Sequence, residues 1–375
     1  AIHGATSFYL HIPGESFENS LKHRSRTQLS KNCQAEYIWQ VADSQGLIPF
    51  VANYPSGWPL NFNKGGMAVL IWPIPESIPN VISRAGTFTY KSSRTDSLSI
   101  EKAQDNFKIN KKIEALKFIL ELKNGSIKKL KRLRFYIIDT KGQGYDSIYF
   151  PRDGKNNKHL IEINEWSRWI SIKISTDYGI LPCFFKIKPL EISPDGKHLK
   201  IQRTSLYNAK GWTKPEDFGE KVIKNVINYD LSFKDQDVEY MISENVENYL
   251  LQARLDTQTV GKTVAFAKKQ LDWDMCFFHV HLLDSVNHKE LAYLYEKSPL
   301  YNKKDSEKAW NNVEMAYKIV DELVGYIIEK CVDEDTIVTF VSDHGAIPTW
   351  KIANVREALK RAGLISYKWN SSVKK

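Results

Sequence analysis

Met275 to Leu283 form a nine-residue run, MCFFHVHLL, in which only His279 and His281 interrupt apolar side chains. A run of this length with adjacent aromatics is short for a buried helix, so it reads as a central strand covered on both faces. Parallel strands need crossover helices between them. The sequence supplies one, because Trp310, Val313, Ala316, Tyr317, Val320, Val324, Ile327 and Cys331 recur at threes and fours, the stripe of a long packed helix. Thr336–Val341, TIVTFV, follows as a second buried strand, and VREALKRAG as a short helix closed by Gly363. The order strand, long helix, strand, helix predicts an α/β fold with a predominantly parallel sheet and helices on both faces. LIPFVANYP and GMAVLIWPIP predict further strands near 47–53 and 69–72. Helices are expected over 34–44, 215–227 and 243–271, where apolar residues are spaced for one face.

Between these halves the pattern changes. From about Arg132 to Arg203, short β-branched or aromatic runs are separated by turns such as KGQG, TDYG and SPDGK, which predicts a mostly antiparallel, β-rich insertion. A basic segment, Lys108–Arg134, leads into it; Ile113, Leu116, Ile119 and Leu120 give a helical stripe that leaves many lysines on the opposite side. The expected division is 1–93 and 208–375 as the two parts of an α/β core, with 94–207 as an inserted β-rich cap subdomain carrying a leading basic helix. A formal charge of +9 raises the question of nucleic acid. No zinc finger, RNP aromatic pair or KH loop accompanies it, so the basic segment reads as a solvated face and no specific nucleic-acid partner is expected. A 42% hydrophobic content rules out a wholly disordered chain. Cys33, Cys183, Cys276 and Cys331 include no CxxC, which argues against a disulfide scaffold or a zinc knuckle. No run approaches the roughly 18 apolar residues of a membrane span. The expected location is cytoplasmic by default, and an exported mature protein fits equally well.

The residues with chemistry lie just beyond the carboxyl ends of the two apolar runs. LLDSVNH places Asp284 and His288 four apart, and VSDHG places Asp343, His344 and Gly345 together. In an open parallel sheet ligands bind at this edge, where loops and helix amino termini converge. Carboxylate oxygen and imidazole nitrogen suit Zn, Mn or Fe. A helix starting near Asp284 would put His288 one turn on, facing the same side. A bend at Gly345 would let Asp343 and His344 reach one ion together. His279 and His281 read as core residues or as imidazoles supporting a carboxylate ligand.

WDMCFFHVHLLDSVNH, the Tyr317–Asp321 part of the long helix, and TIVTFVSDHGAIPTWKIANVREALKRAGLI resemble the type I phosphodiesterase and nucleotide pyrophosphatase group of the alkaline phosphatase superfamily. His3-Gly4 with TSFYLHIPG resembles the segment just past that group's nucleophile, and IPFVANYPSGWP its next core strand and loop. The resemblance implies an alkaline phosphatase-like α/β/α sandwich with the β-rich middle as a cap. It also implies two divalent ions, zinc or manganese, with Asp284 and His288 at one and Asp343 and His344 at the other. His281 and Gly345 would support them. The group's nucleophile falls before residue 1 and a late histidine ligand after residue 375, so Thr6 and Ser7 are only fallback nucleophiles and the chain alone would bind one ion or none. The expected function is a metal-dependent phosphodiesterase or nucleotide pyrophosphatase acting on a phosphate ester or nucleotide-like molecule, with a companion chain or a longer product supplying the remaining parts. A sulfatase or phosphomonoesterase on the same scaffold, or an inactive binding domain, are the alternatives.

Overall fold

The computed structural model describes residues 16, 33, 35–55, 57–70, 76–91, 94–95, 98–102, 108–109, 111–112, 115–123, 125–150, 159–227, 246–351 and 353–365. Its core sheet is short and mostly parallel. Strand β1 (Pro49–Ala52) pairs in parallel with β2 (Gly66–Ala68) on one side and with β19 (Met275–Phe278) on the other. The antiparallel strand β18 (Thr213–Lys214) closes the β2 edge. Successive residues of β1 face opposite ways. Phe50 meets Phe218 of helix α2 (Phe218–Asn225), ring centroids 5.8 Å apart, and Phe218 stacks on Phe266 of helix α3 (Val246–Leu271). Val51 lies in register with Phe277, whose ring meets Trp39 of helix α1 (Ile38–Ser44) at 5.4 Å. Helices therefore cover both faces of the sheet, and Phe50, Val51 and Ala52 are fully buried between them.

After β19 the chain enters helix α4 (Leu282–Leu294) and then helix α5 (Lys303–Cys331), which packs against both α3 and α4. The α5 stripe is shifted from its expected position. Val313, Ala316, Ile319, Leu323, Ile327 and Cys331 are buried, whereas Trp310 and Tyr317 face outward. Helix α6 (Val355–Arg361) ends at Gly363, whose φ of +69° is the left-handed conformation expected of a closing glycine.

The middle of the chain forms three antiparallel sheets. One runs in the order β12 (His159–Glu162), β11 (Ser147–Phe150), β10 (Lys131–Ile138), β9 (Ala115–Leu122), β6 (Leu98–Lys102). A second runs β13 (Ile170–Thr176), β14 (Gly179–Phe185), β17 (Leu206–Asn208), β3 (Val81–Ser83). The third runs β15 (Ile187–Ile192), β16 (His198–Arg203), β4 (Gly86–Lys91), β5 (Arg94–Thr95). A small ribbon pairs β7 (Lys108–Ile109) with β8 (Lys111–Lys112). This region holds its own apolar cluster, centred on Phe118, Phe135, Ile137 and Phe185.

Four expectations need correction. The basic segment is not a helix: ALKFILEL forms β9, paired with β10 along its whole length. Its apolar residues fit two periods, and Phe118, Leu120 and Leu122 are buried at a spacing of two, because the turn near Gly125 brings back a strand of equal length for the ladder. The strand expected near 69–72 is observed earlier, as β2 over Gly66–Ala68; the Val69 amide still donates to Trp212 O beside β18, and residues 71–72 lie outside the described residues. β19 stops at Phe278 instead of continuing to Leu283, since the chain turns at His279–His281 into α4. Thr336–Val341 forms no strand. Ile337 is 90% exposed and Val341 87%, and no described strand pairs with this segment; β propensity is realised only against a partner.

Candidate functional site

Two loops meet at the carboxyl edge of the core sheet because β1 and β19 are parallel neighbours. The Asn53 amide donates to Ala68 O at 2.7 Å, and Asn53 Nδ2 donates to His279 O at 3.3 Å. The His279 amide in turn donates to Ala52 O at 3.3 Å. Asn53 is buried at a φ of +52°, a left-handed conformation that asparagine tolerates better than most residues. Both strands are thereby released into their loops at the same level. Tyr54 sets its ring edge against His279, with centroids 6.4 Å apart, and the His279 ring lies 5.5 Å from that of His281.

Asp284 is the hub of the arrangement. It occupies the first turn of α4, where the helix dipole favours a carboxylate. His281, at the position just before the helix, places Nε2 3.0 Å from Asp284 Oδ2. His288, one turn on, places Nε2 3.3 Å from Asp284 Oδ1. His344 reaches the same group from the far segment, its Nε2 lying 3.9 Å from Asp284 Oδ1 and 3.5 Å from Asp343 Oδ2. Both carboxylates thus face one imidazole, although they are almost sixty residues apart in the chain. Gly345 stays outside the left-handed region, and a Cβ there would meet open space, so the bend does not depend on its being glycine.

The imidazoles differ in their electrostatics. Burial, reinforced by the His281 charge, pulls the His279 pKa below the ordinary histidine value. Burial also lowers His281, with Asp284 opposing it. His344 is raised, first by the Gly345 carbonyl, 2.8 Å from Nδ1, and then by Asp343. The edge therefore holds imidazoles of lowered pKa at its floor and one of raised pKa at its exposed rim.

Asp284, His288, Asp343 and His344 all belong to this group, and His281 touches Asp284 directly. Thr6 and Ser7 lie outside the described residues. Asn53 and Tyr54 were not anticipated; their signal was the ANYP stretch that ends the first apolar strand. The donor types suit a borderline divalent cation. Their placement does not: among the described residues no three His, Cys, Asp or Glu groups are arranged to hold one ion, and both Asp284 oxygens already face imidazoles.

No helix among the described residues is long and apolar enough to cross a membrane. Comparisons with curated proteins and with solved structures give no match. Residues 196–374, which include β19, α4, α5 and every residue of the Asp284 group, match the family model described as type I phosphodiesterase / nucleotide pyrophosphatase, a family of the alkaline phosphatase superfamily.

Proposed function

We propose that the chain is a divalent-metal-dependent hydrolase of phosphodiester or nucleotide pyrophosphate bonds, with the Asp284 group as its active edge. The observation that carries this reading is that Asp284 faces His281, His288 and His344 at the carboxyl edge of a parallel sheet, inside the segment that matches the family. Members of this family are generally metal-dependent, and their substrates are nucleotides or other phosphate esters. Asp284, His288, Asp343 and His344 are the residues we assign to the metal.

The chain's own groups have definable roles around such a substrate. Asp284 orients the three imidazoles from the α4 amino terminus. The β-rich subdomain over 94–207 is the part we assign to contacts with the organic substituent of the ester.

The test is hydrolysis, by the purified full-length product, of bis(p-nitrophenyl) phosphate, the p-nitrophenyl ester of thymidine 5′-monophosphate, p-nitrophenyl phosphate and p-nitrophenyl sulfate. Each is assayed after chelation and after adding back zinc or manganese. The expected result is diester turnover that metal restores and that Asp284→Asn lowers by about a hundredfold or more. Preference for the sulfate or the monoester would replace this reading with the corresponding esterase, and zinc binding without turnover of any ester would make the edge a binding site.

A further inference from the structure

We propose that the loop over 164–169 and strand β15, which it runs beside, form a binding strip for single-stranded nucleic acid. Arg168, Lys186 and Lys188 meet the phosphates, and Trp166 and Trp169 meet the bases. The strip belongs to the β-rich middle of the chain and shares no residue with the Asp284 group or with the basic segment Lys108–Arg134.

The loop is laced to the strand through its backbone. The Asn164 amide donates to Pro189 O and the Ser167 amide to Ile187 O, both at 2.8 Å, and the Ile187 amide returns a bond to Ser167 Oγ at 3.0 Å. Ile170 then pairs with Phe185, so carrying the β13–β14 register back by one residue sets Trp169 opposite Lys186. Two indoles therefore face two lysines. Lys186 Nζ lies 5.0 Å from the Trp169 ring centroid, and Lys188 Nζ lies 5.8 Å from that of Trp166. A ring face holds an ammonium in place while leaving it N–H groups for a ligand, which lowers the entropy lost on binding.

These charges have no protein counter-charge. Among the described residues neither lysine nor Arg168 makes an ion pair, and Glu191, the acid of β15, is engaged by His198 and Lys200. Arg168 stands exposed between the two tryptophans in the chain. Burial holds the Lys186 pKa below the ordinary lysine value, with no acid acting against it. A partly desolvated ammonium of this kind gains from an incoming anion. Trp166 adds an unsatisfied donor, its covered Nε1, which a phosphate oxygen would satisfy once the ring turns.

The arrangement favours an extended ligand over a compact one. Lys186 and Lys188 are two residues apart on extended backbone, which separates their Cα atoms by about 6.5 Å and spreads the charge along the strand. The cavity beside Arg168 and Trp169 has a volume of about 30 Å³, room for a water or two and not for an organic molecule. Cations in a line with rings between them match sequence-tolerant single-strand binding, in which charge tracks the phosphates and bases stack on the rings.

The experiment is fluorescence anisotropy of a dye-labelled oligothymidylate of about twelve nucleotides, titrated with the full chain in chelator over a range of salt. The expected dissociation constant is about 1–100 μM at low salt, and log K should fall against log salt with a slope of about −2, that of three phosphates at roughly 0.7 each. Lys186→Gln combined with Lys188→Gln should bring the slope to about −0.7 and weaken binding at least about tenfold. Arg168→Gln, at an exposed side chain, should remove about a third of the slope without disturbing the fold. Trp166→Leu should weaken binding about tenfold and leave the slope unchanged. Absence of binding would overturn the proposal, and so would a slope that the three cation substitutions leave intact, which would place the phosphates elsewhere on the chain. Competition by inorganic pyrophosphate at equal phosphate concentration would reassign the strip to small anions. Equal affinity for duplex DNA or for polyglutamate would reduce the binding to general charge attraction, and either result overturns the single-strand assignment. No readout requires turnover, so failure of the strip and failure of the hydrolase reading are told apart.

Discussion

Asp256 shows how one side chain's surroundings set a pH dependence. It lies on α3, where burial pushes its carboxyl up to about 6; the Gln252 side-chain amide, donating at 2.8 Å, and the Arg84 charge act in the opposite direction. A carboxyl whose folded pKa is raised holds its proton more tightly when folded. Its stabilising contribution is complete below its unfolded value and is lost as pH rises through the folded one. Asp256→Asn keeps an acceptor for Gln252 and removes the ionisation. Thermal unfolding should therefore find variant and wild type closest below about pH 4, with the variant more stable above about pH 6; a gap that does not change with pH would contradict the burial argument. Gly125 makes a steric prediction. Its φ is +75°, and a Cβ there would lie 2.1 Å from the Ile82 carbonyl oxygen, so neither backbone conformation nor space admits a side chain. Gly125→Ala should cost more than about 2 kcal/mol in urea unfolding. Neither position could be weighted from sequence, where Asp256 is one more polar residue on a helix and Gly125 one more turn glycine.

At the scale of elements, local signals succeeded where one period dominated. The α5 stripe called a long helix, and its start is fixed by Asn302, whose side-chain oxygen accepts from the Asp305 amide at 2.9 Å. Asn302→Ala should lower stability by about 1 kcal/mol, readable in chemical denaturation, with little loss if that cap is replaced by Asp or Ser. Local signals failed in β9, where Leu116, Ile119 and Leu120 fit a helical face as well as Leu116, Phe118, Leu120 and Leu122 fit a strand face. The partner decides. Phe118 stacks on Phe135 of β10, centroids 5.1 Å apart, and both are fully buried. Phe135→Ala should cost about 3–5 kcal/mol, since a large ring leaves a cavity its rigid neighbours fill poorly.

For the whole molecule, the question is whether the core around the parallel sheet and the core of the antiparallel sheets unfold together. Strand β14 contributes Cys183 to one apolar cluster and Phe184 to the other, and β3 likewise supplies Ile82 to one while Val81 packs against the other. Shared strands leave no surface along which the two could separate cheaply, so calorimetry should show one transition, and Phe50→Ala and Phe135→Ala should both lower its midpoint. Two resolved transitions, each sensitive to only one variant, would refute that coupling. The sequence by itself determined the α/β class, the helical stripes, the β-rich middle and the identity of Asp284, His288, Asp343 and His344 as residues after apolar runs. Each of these follows from local periodicity and residue chemistry, which a short window of chain contains. Only the tertiary structure decided that the basic segment is a strand, that His281 touches Asp284, and that Asn53 and Tyr54 help to form the same edge. Those outcomes depend on which segments meet across the fold, and pairing between distant residues is energy that no local window of sequence records.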